Sequence, residues 1–295
     1  MNPAITIFTP TYNRSDLLKR LFESLKQQTF KNFEWLIVDD GSTDNTKEIV
    51  SYFQNDSFFP IVFRTQQNSG KHIAINRGLD IAKGELFFIV DSDDWLNIDA
   101  LERIYSHYIQ IKGNKLFAGV CGLKVYPNGQ KTGGEQEFGI LDCNSLDFRF
   151  KYRIKGDMAE VFITDILKKY YFPEIEAEKF CPEALVWNRI AQHYKLRYFY
   201  EKIYYCEYRP DGLSANITKM RAKSPISTCT YYAELSKNKI PFYQKIKAIV
   251  NYWRFSFWIN SKWSKKRMIS NVGFLALLLY PIGYIFLKND RKVLQ

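Results

Sequence analysis

The sequence predicts an α/β fold, a Rossmann-like and mostly parallel sheet with helices on both faces, followed by a C-terminal helical tail rich in basic and aromatic residues. Three observations predict it. Short apolar runs alternate with stretches of helical spacing over the first hundred residues. The runs are almost continuously apolar, as strands buried on both faces must be. Polar residues then follow three of these runs directly, where α/β proteins bind ligands.

Four strands and three intervening helices are predicted in this first part. The strands are "AITIFT" (4–9), "WLIVDD" (35–40), "PIVFRT" (60–65) and "ELFFIVD" (85–91). The helices fall at 17–25, 46–53 and 73–82, where apolar residues recur every three or four positions. This strand-helix-strand alternation is typical of a parallel sheet covered by helices.

The pattern is less regular after residue 94. We predict helices at 96–111 and 178–194, the second entered near Pro182, because proline is tolerated at a helix start. Six glycines among short apolar runs between 115 and 150 indicate irregular strands. The loop "EYRPDGLSANIT" (207–218) is the expected boundary between a catalytic domain, 1–215, and a tail, 216–295.

The distribution of charge and the cysteines bear on the partners and the location of the protein. The net charge is +11, but residues 216–295 hold 15 Lys and Arg against 2 Asp and Glu, while residues 1–215 hold 27 against 29. The basic charge therefore avoids the polar strand ends, which argues against a nucleic-acid partner. The five cysteines show no C-x-x-C spacing and no signal peptide precedes them, so we expect an intracellular, reducing location with ordinary buried cysteines.

The fourth strand runs directly into "DSDD", residues 91–94. One interpretation is a solvated loop in which Asp94 or Asn97 caps the next helix. The other is a site for a hard divalent cation, Mg²⁺ or Mn²⁺, which takes a few carboxylate oxygens and shares the rest of its shell with substrate phosphates. We favour the cation, because it would neutralise both the aspartates and a diphosphate.

The other strand ends add candidate binding groups. Tyr12 could stack on a base or be an ordinary half-buried tyrosine. Asp44 is well explained as a helix cap, whereas Asp39 and Asp40 stand on the strand side and could accept a nucleobase N–H. In "QNSGKHIAINRG" (67–78), Gly70 could begin a helix whose N–H groups favour anions, with Lys71 adding positive charge. No Walker or G-x-G-x-x-G motif occurs here, which disfavours kinase and dehydrogenase chemistry.

Taken in order, "TPTYNR", "DDGSTDNT", "GKHIAINRG" and "DSDD" resemble family 2 glycosyltransferases of the GT-A fold, and "FCPEALVWNRI" followed by "PDGLS" resembles that family's acceptor half. The resemblance covers about residues 4 to 215. It implies an inverting transfer from a nucleotide-sugar. The nucleotide-sugar site it implies comprises Thr9, Pro10, Tyr12, Asp39, Asp40, Asn68, Lys71, Asn76, Asp91 and Ser92. The D-x-D motif, Asp91-Ser92-Asp93, would hold the ribose and the metal, Mn²⁺ or Mg²⁺, with Asp93 the direct ligand and Asp91 beside it.

The sequence departs from this family at the base. The family typically has an Asp in an E-D pair opening a late helix, whereas this chain has Pro182-Glu183. We place the base at Glu183, with Trp187 and Arg189 at the family's aromatic and arginine positions on the acceptor side. Asp157 and Glu160 are rival acids near the acceptor. Glu176 and Glu178 are weaker candidates.

The tail combines cations with Trp, Tyr and Phe, and residues 268–287 carry no charge. We predict in-plane or re-entrant attachment to the cytoplasmic face of the cell membrane over a true span, a soluble helical or oligomerising tail, or a nucleic-acid site. Pro281 and Gly283 interrupt the segment, and cations flank both of its ends. The predicted function is transfer of a hexose or N-acetylhexosamine from a UDP-sugar to a glycan or lipid-linked acceptor in bacterial surface polysaccharide synthesis. The alternative is a membrane scaffold that binds a nucleotide-sugar without catalysis.

Overall fold

The computed structural model describes residues 2–208, 216–259 and 271–294 and has the predicted α/β architecture. The strands are β1 (Ile5–Thr11), β2 (Phe33–Asp39), β3 (Ile61–Thr65), β4 (Leu86–Ile89), β5 (Trp95–Leu96), β6 (Phe117–Val125), β7 (Leu141–Cys143), β8 (Met158–Ile163) and β9 (Lys195–Tyr205). The helices are α1 (Ser15–Lys26), α2 (Thr46–Asp56), α3 (Lys71–Ile81), α4 (Ala100–Ile109), α5 (Ser145–Phe150), α6 (Thr164–Leu167), α7 (Ala184–Ala191), α8 (Ile217–Lys223), α9 (Pro225–Lys237), α10 (Phe242–Ser256), a 3₁₀ helix (Phe274–Leu279) and α11 (Tyr280–Leu294).

The sheet has nine strands in the order β3-β2-β1-β4-β8-β6-β9-β5, with β7 paired to β9. The first four strands of this order are parallel, as predicted. Beyond them, β8 runs antiparallel between β4 and β6, and β9 is parallel to β6 but antiparallel to β5 and β7. The parallel half therefore aligns the carboxyl ends of β1, β2 and β4 at one edge.

Side chains of a strand point alternately to the two faces of the sheet, and helices cover each face. Alternate side chains of β1, including Ile5 and Ile7, pack with α1, α2 and α4 in the main core. Phe8 points to the opposite face, where it stacks on Phe87 with ring centroids 5.1 Å apart. There α3 approaches so closely that a Cβ added to Gly78 would lie 2.2 Å from the Phe8 ring, so glycine permits this packing.

Two local predictions need correction. The helix predicted at 96–111 begins at Ala100, because Trp95 and Leu96 form a short strand against Tyr205 and Tyr204. The helix predicted at 178–194 is limited to Ala184–Ala191. All five cysteines are unpaired, and four of them are buried.

The chain forms two compact units. A sheet unit contains residues 1–171 and 190–208, and a helical unit contains residues 172–189 and 209–295. The short segment 172–189 thus groups with the tail helices. The predicted functional division at residue 215 stays a prediction.

The helical unit has its own core. Cys229, Tyr252, Trp253 and Phe255 are almost completely buried between α9 and α10. The ring of Tyr232 stacks on Phe255 with centroids 6.1 Å apart. In the parts of the chain that the structure describes, no helix combines the length and the apolar character needed to cross a membrane.

Candidate functional site

The carboxyl ends of β1, β2 and β4 lie side by side. Thr11 pairs with Asp39 in the parallel register, and the Asp40 N–H donates to the Thr11 carbonyl at 2.8 Å. On the other side of β1, the Val90 N–H donates to the Phe8 carbonyl at 2.8 Å. The structure therefore brings the polar segments after these three strands to one edge, as the parallel sheet predicts.

The two aspartates at the end of β2 are buried and accept hydrogen bonds from protein donors. Asp40 Oδ1 accepts from the Gln66 side chain and the Ser69 N–H, both at 2.7 Å, and Oδ2 accepts from the Gly70 N–H at 2.8 Å. Asp39 Oδ1 accepts from the Ser42 N–H at 3.0 Å and from its hydroxyl at 2.5 Å. Asp40 thus fixes the loop that leads into α3. A direct role of either residue in nucleotide binding stays a prediction.

The other residues expected at the nucleotide-sugar site have different environments. Thr9 is buried, and its hydroxyl accepts from the Trp35 indole N–H at 2.9 Å, so its side chain is engaged in the core. Tyr12 is exposed just beyond β1, which suits a stacking surface. The remaining expected members are buried or half-buried: Pro10, Asn68, Asn76 and Ser92.

Lys71, the first residue of α3, makes an ion pair with the aspartate that begins the D-x-D motif. Lys71 Nζ lies 2.6 Å from Asp91 Oδ1. Burial alone would raise the pKa of Asp91, but the charges of Lys71 and Lys124 outweigh it and lower that pKa. Asp91 is therefore held as an anion, as the resemblance requires.

The next two carboxyls have the opposite shift. Burial and the negative charge of Asp91 raise the pKa of Asp93. The same two causes raise the pKa of Asp94 to about 7. Burial and the charge of Asp91 thus disfavour the ionised forms of Asp93 and Asp94, whereas the charges of Lys71 and Lys124 favour the ionised form of Asp91.

This donor set fits a hard divalent cation. Carboxylate oxygens are the ligands that Mg²⁺ and Mn²⁺ prefer, and Asp91 and Asp93 are both half-exposed. Within the described residues, no group of three or more His, Cys, Asp or Glu side chains is arranged to hold a metal ion. A cation held here would thus need oxygens from a substrate to complete its shell.

Two further residues fix this turn and were not predicted. The completely buried Tyr204 accepts from the Asp91 N–H at 2.9 Å and donates to Asp94 Oδ2 at 2.7 Å. Arg20 donates to the Asp93 carbonyl at 2.6 Å, and its guanidinium lies 3.8 Å from the centroid of the Trp95 ring. Both contacts hold the backbone of the aspartate turn in one conformation.

The sequence contained only weak signals for these two residues. Tyr204 belongs to β9, whose run "KLRYFYEKIYY" is rich in aromatic residues but lies 110 residues from the aspartates that it contacts. Arg20 lies in an amphipathic helix, where a cation usually faces solvent. The contacts of Tyr204 and Arg20 with the aspartate turn become visible only in the folded structure.

The two rival acids in the sheet unit are placed differently. Asp157 is exposed immediately before β8, and its carbonyl accepts from the Thr132 hydroxyl at 2.7 Å. Glu160 is half-buried within β8 and pairs in register with Cys121 of β6. A catalytic role for either acid stays a prediction.

In the helical unit, Glu183 directly precedes α7 and is half-buried. Its carbonyl accepts from the N–H groups of Val186 and Trp187 at 3.0 and 3.1 Å, so it opens the helix. By contrast, both carboxylate oxygens of Glu178 accept from N–H groups at the start of α9, at 2.6 and 2.8 Å, which explains that acid as a helix cap.

The two acceptor-side candidates on α7 have partners within the helical unit. The Trp187 ring meets Phe172 edge to face, with centroids 6.0 Å apart. Arg189 makes a bidentate ion pair with Glu234 of α9, at 2.7 and 2.9 Å. The segment "PDGLS" of the expected acceptor half lies outside the described residues.

A parallel sheet whose carboxyl edge gathers Asp91, Lys71 and the exposed Tyr12 has the polar edge at which α/β proteins bind ligands. Residues 6–155 match the model of the family Glycosyl transferase family 2. The chain therefore belongs to glycosyltransferase family 2, as the sequence motifs predicted.

Curated relatives agree with this membership. The chain is 30% identical over 203 residues to the GalNAc(5)-diNAcBac-PP-undecaprenol beta-1,3-glucosyltransferase of Campylobacter jejuni, covering 67% of this chain and 62% of that protein. It is 37% identical over 105 residues to Glycosyltransferase GlyG of Streptococcus pneumoniae, covering 36% of this chain and 35% of that protein. The chain spans less than two thirds of the length of each of these relatives.

Solved structures show the fold. The chain resembles S. aureus TarS 1–349 with a TM-score of 0.64 and 20% identity, covering 98% of this chain and 89% of that chain. It also resembles the mannosyltransferase PcManGT from Pyrobaculum calidifontis, solved with GDP-Man and Mn²⁺, with a TM-score of 0.58 and 17% identity, covering 97% and 80%. The predicted GT-A fold with a helical C-terminal region is confirmed.

Proposed function

We propose that the protein is an inverting glycosyltransferase that moves a hexose or N-acetylhexosamine from a UDP-sugar to a hydroxyl of a glycan or lipid-linked acceptor. The observation that carries this proposal is the carboxylate turn, Asp91 to Asp94, at the carboxyl edge of the parallel sheet in a family 2 chain. Ligands of α/β folds lie at such an edge, and a cation together with a diphosphate would balance the carboxylates of the turn.

Relatives support the donor and acceptor classes. TarS has been solved with UDP-GlcNAc, at a TM-score of 0.61 and 20% identity over 98% of this chain and 90% of that chain. The names of relatives include a glucosyltransferase acting on an undecaprenol-linked saccharide and a Poly(ribitol-phosphate) beta-glucosyltransferase of Bacillus spizizenii. We therefore place the reaction in the synthesis of a bacterial surface polysaccharide.

We assign the donor site to the edge of the sheet unit. Tyr12 would stack on the base, and Lys71 would neutralise a phosphate once the diphosphate arrives beside Asp91. Asp93 and Asp91 would hold Mn²⁺ or Mg²⁺, which when bound supplies charge neutralisation for the departing diphosphate. Tyr204 and Arg20 keep the turn in place for this role.

The reaction needs one base and no covalent nucleophile. The acceptor hydroxyl oxygen bonds to C1 of the sugar while the bond from C1 to the UDP oxygen breaks, which inverts the configuration at C1. We assign acceptance of the hydroxyl proton to Glu183, with Asp157 and Glu160 as rivals. Whichever acid is the base must come within hydrogen-bond reach of that proton. Trp187 and Arg189 are proposed to shape the acceptor side.

The tail is proposed to attach the enzyme to the cytoplasmic face of the membrane, where a lipid-linked acceptor would be presented. Its excess of cations would draw it to anionic lipid. This attachment is independent of the chemistry at the sheet edge and is tested separately below.

Donor hydrolysis tests the proposed function directly. We expect slow release of UDP from one of UDP-glucose, UDP-galactose, UDP-GlcNAc and UDP-GalNAc with Mn²⁺ or Mg²⁺, and loss of release on adding chelator. GDP-mannose serves as the control donor. Release of GDP instead would contradict the UDP assignment, whereas UDP binding without turnover, even with acceptor glycans, would favour a non-catalytic scaffold.

Tyr204→Phe tests the support of the carboxylate turn. Loss of the hydroxyl leaves the Asp91 N–H without its acceptor and Asp94 without its donor, so the protein should lose about 1–3 kcal/mol of stability. The Mn²⁺ concentration for half-maximal UDP binding should also rise several-fold. The matched control is Tyr108→Phe, which removes a hydrogen bond to Glu85 away from the turn. Equal Mn²⁺ dependence in the two variants would show that Tyr204 is merely structural.

A further inference from the structure

The helical unit exposes a continuous apolar segment. Phe274, Leu275 and Leu278 of the 3₁₀ helix are 77%, 78% and 77% exposed. More large apolar or aromatic side chains are exposed along the following helix, α11: Tyr280, Ile282, Tyr284, Ile285 and Phe286. Single exposed apolar residues are ordinary, but a group of this size marks an interaction surface. We call these eight residues the outer face.

The outer face is displayed on a fixed support. On its inner side, Ala276 and Leu287 are buried, and the Trp253 indole N–H donates to the Ala276 carbonyl at 2.7 Å. Gly283 permits the close approach of α11 to α10, because a Cβ there would lie 2.5 Å from Cβ of Trp253. Tyr280 and Tyr284 also meet the Phe257 ring edge to face, with centroids 5.0 and 5.5 Å apart, so the two tyrosines are partly packed. The most exposed part of the outer face is therefore the 3₁₀ helix with Phe274, Leu275 and Leu278.

The charge around the outer face identifies its occupant. The only two acids in residues 216–295 are Glu234 and Asp290, and both are bound by arginine. Glu234 pairs with Arg189, and Asp290 makes a bidentate ion pair with Arg254. The tail thus keeps a strong positive excess, and Lys288, Arg291 and Lys292 lie on α11 immediately after the outer face.

We infer that the outer face is the surface that docks on a bilayer containing anionic lipid. A second copy of the chain would bring an equally positive tail against this one, whereas anionic headgroups attract each nearby cation by about 1 kcal/mol. The six residues of the 3₁₀ helix extend only about 12 Å at about 2.0 Å per residue, against a hydrocarbon core of about 30 Å. They would therefore insert shallowly, in the plane of the interface. This inference deepens the proposed membrane attachment and rests on it.

Point substitutions test the outer face better than truncation. Deleting residues 240–295 would remove Tyr252, Trp253 and Phe255 from the core of the helical unit and confuse unfolding with release. We propose the triple variant Phe274→Ser, Leu275→Ser and Leu278→Ser. The matched control is Phe58→Ser, Leu116→Ser and Ile140→Ser, three large apolar residues that are exposed in the sheet unit.

The measurement is flotation of the full chain with vesicles of phosphatidylcholine, with and without phosphatidylglycerol. We expect wild type and control to bind only the anionic vesicles, and the outer-face variant to bind them at least about tenfold more weakly, since three large apolar side chains no longer insert. Lys288→Gln, Arg291→Gln and Lys292→Gln together should weaken binding and reduce its salt dependence. Melting temperatures verify folding.

Two outcomes would overturn the inference. One is vesicle binding by the outer-face variant equal to that of the control. The other is a wild-type dimer by light scattering that becomes monomeric in the variant, with no vesicle binding by either, which would assign the face to a second copy. Because flotation requires no donor or turnover, neither outcome depends on the proposed reaction.

Discussion

Asp93→Asn is expected to abolish metal-dependent UDP binding while leaving the protein folded. The amide retains the size of the side chain but removes an anionic oxygen that we assign to the cation. Loss of even an outer partner of a metal ligand typically costs roughly 10- to 100-fold in affinity, so loss of a direct ligand should cost at least about 100-fold. Titration of UDP by calorimetry at fixed Mn²⁺, and then with chelator, measures this.

The metal-free stability of this variant provides an independent check. Burial and the charge of Asp91 raise the pKa of Asp93, so ionisation of this carboxyl is less favourable in the folded protein than in the unfolded chain. Asparagine relieves that cost, and the melting temperature without metal should be unchanged or higher. Asp16→Asn, at an exposed position in the first turn of α1, is the control and should retain UDP binding. Unchanged Mn²⁺ dependence in Asp93→Asn would disprove the metal role.

The parallel half of the fold could be predicted from the sequence because its signals are local. Strands β1, β2 and β4 are rich in apolar residues and mostly buried, and the residues that follow each strand are polar. The rule that ligands lie at the carboxyl ends of such strands then places Tyr12, Asp40 and Asp91 at one edge. No long-range contact had to be known for this step.

The rest depends on contacts between distant parts of the chain. The support of the aspartate turn comes from Tyr204, which β9 brings to Asp91 only because β9 pairs with β5 and β6. Likewise, Asp40 resembles a free ligand in the sequence, yet its carboxylate is bound by the loop before α3. Such partners are set by tertiary packing, which local periodicity does not encode.

The grouping of residues 172–189 with the tail has the same origin. Arg189 pairs with Glu234, and Glu178 caps the start of α9. A boundary placed by composition follows the change of charge near residue 215 and misses these two contacts. Glu178 and Arg189 are therefore held by contacts within the helical unit.

Glu183→Gln is expected to retain UDP binding and lose transfer. A general base contributes about 10²- to 10⁴-fold to a rate, so kcat should fall by that amount once a donor and an acceptor are identified. Glutamine keeps the size of the side chain, and the backbone of residue 183 still opens α7 through its carbonyl, so folding should be unaffected. Release of UDP with acceptor present, compared with calorimetric UDP binding, separates the two steps.

The controls for Glu183→Gln decide between this base and its rivals. Glu176→Gln changes an exposed acid of the same segment and should transfer normally. Asp157→Asn and Glu160→Gln should lower turnover only modestly if Glu183 accepts the proton. A large loss in one of those two, together with near-normal turnover of Glu183→Gln, would move the base into the sheet unit. Glu183 would then have only a structural role at the start of α7. The Pro182-Glu183 departure from the family pattern would mean that the base lies elsewhere in the chain, not that a glutamate replaces the family's aspartate as base.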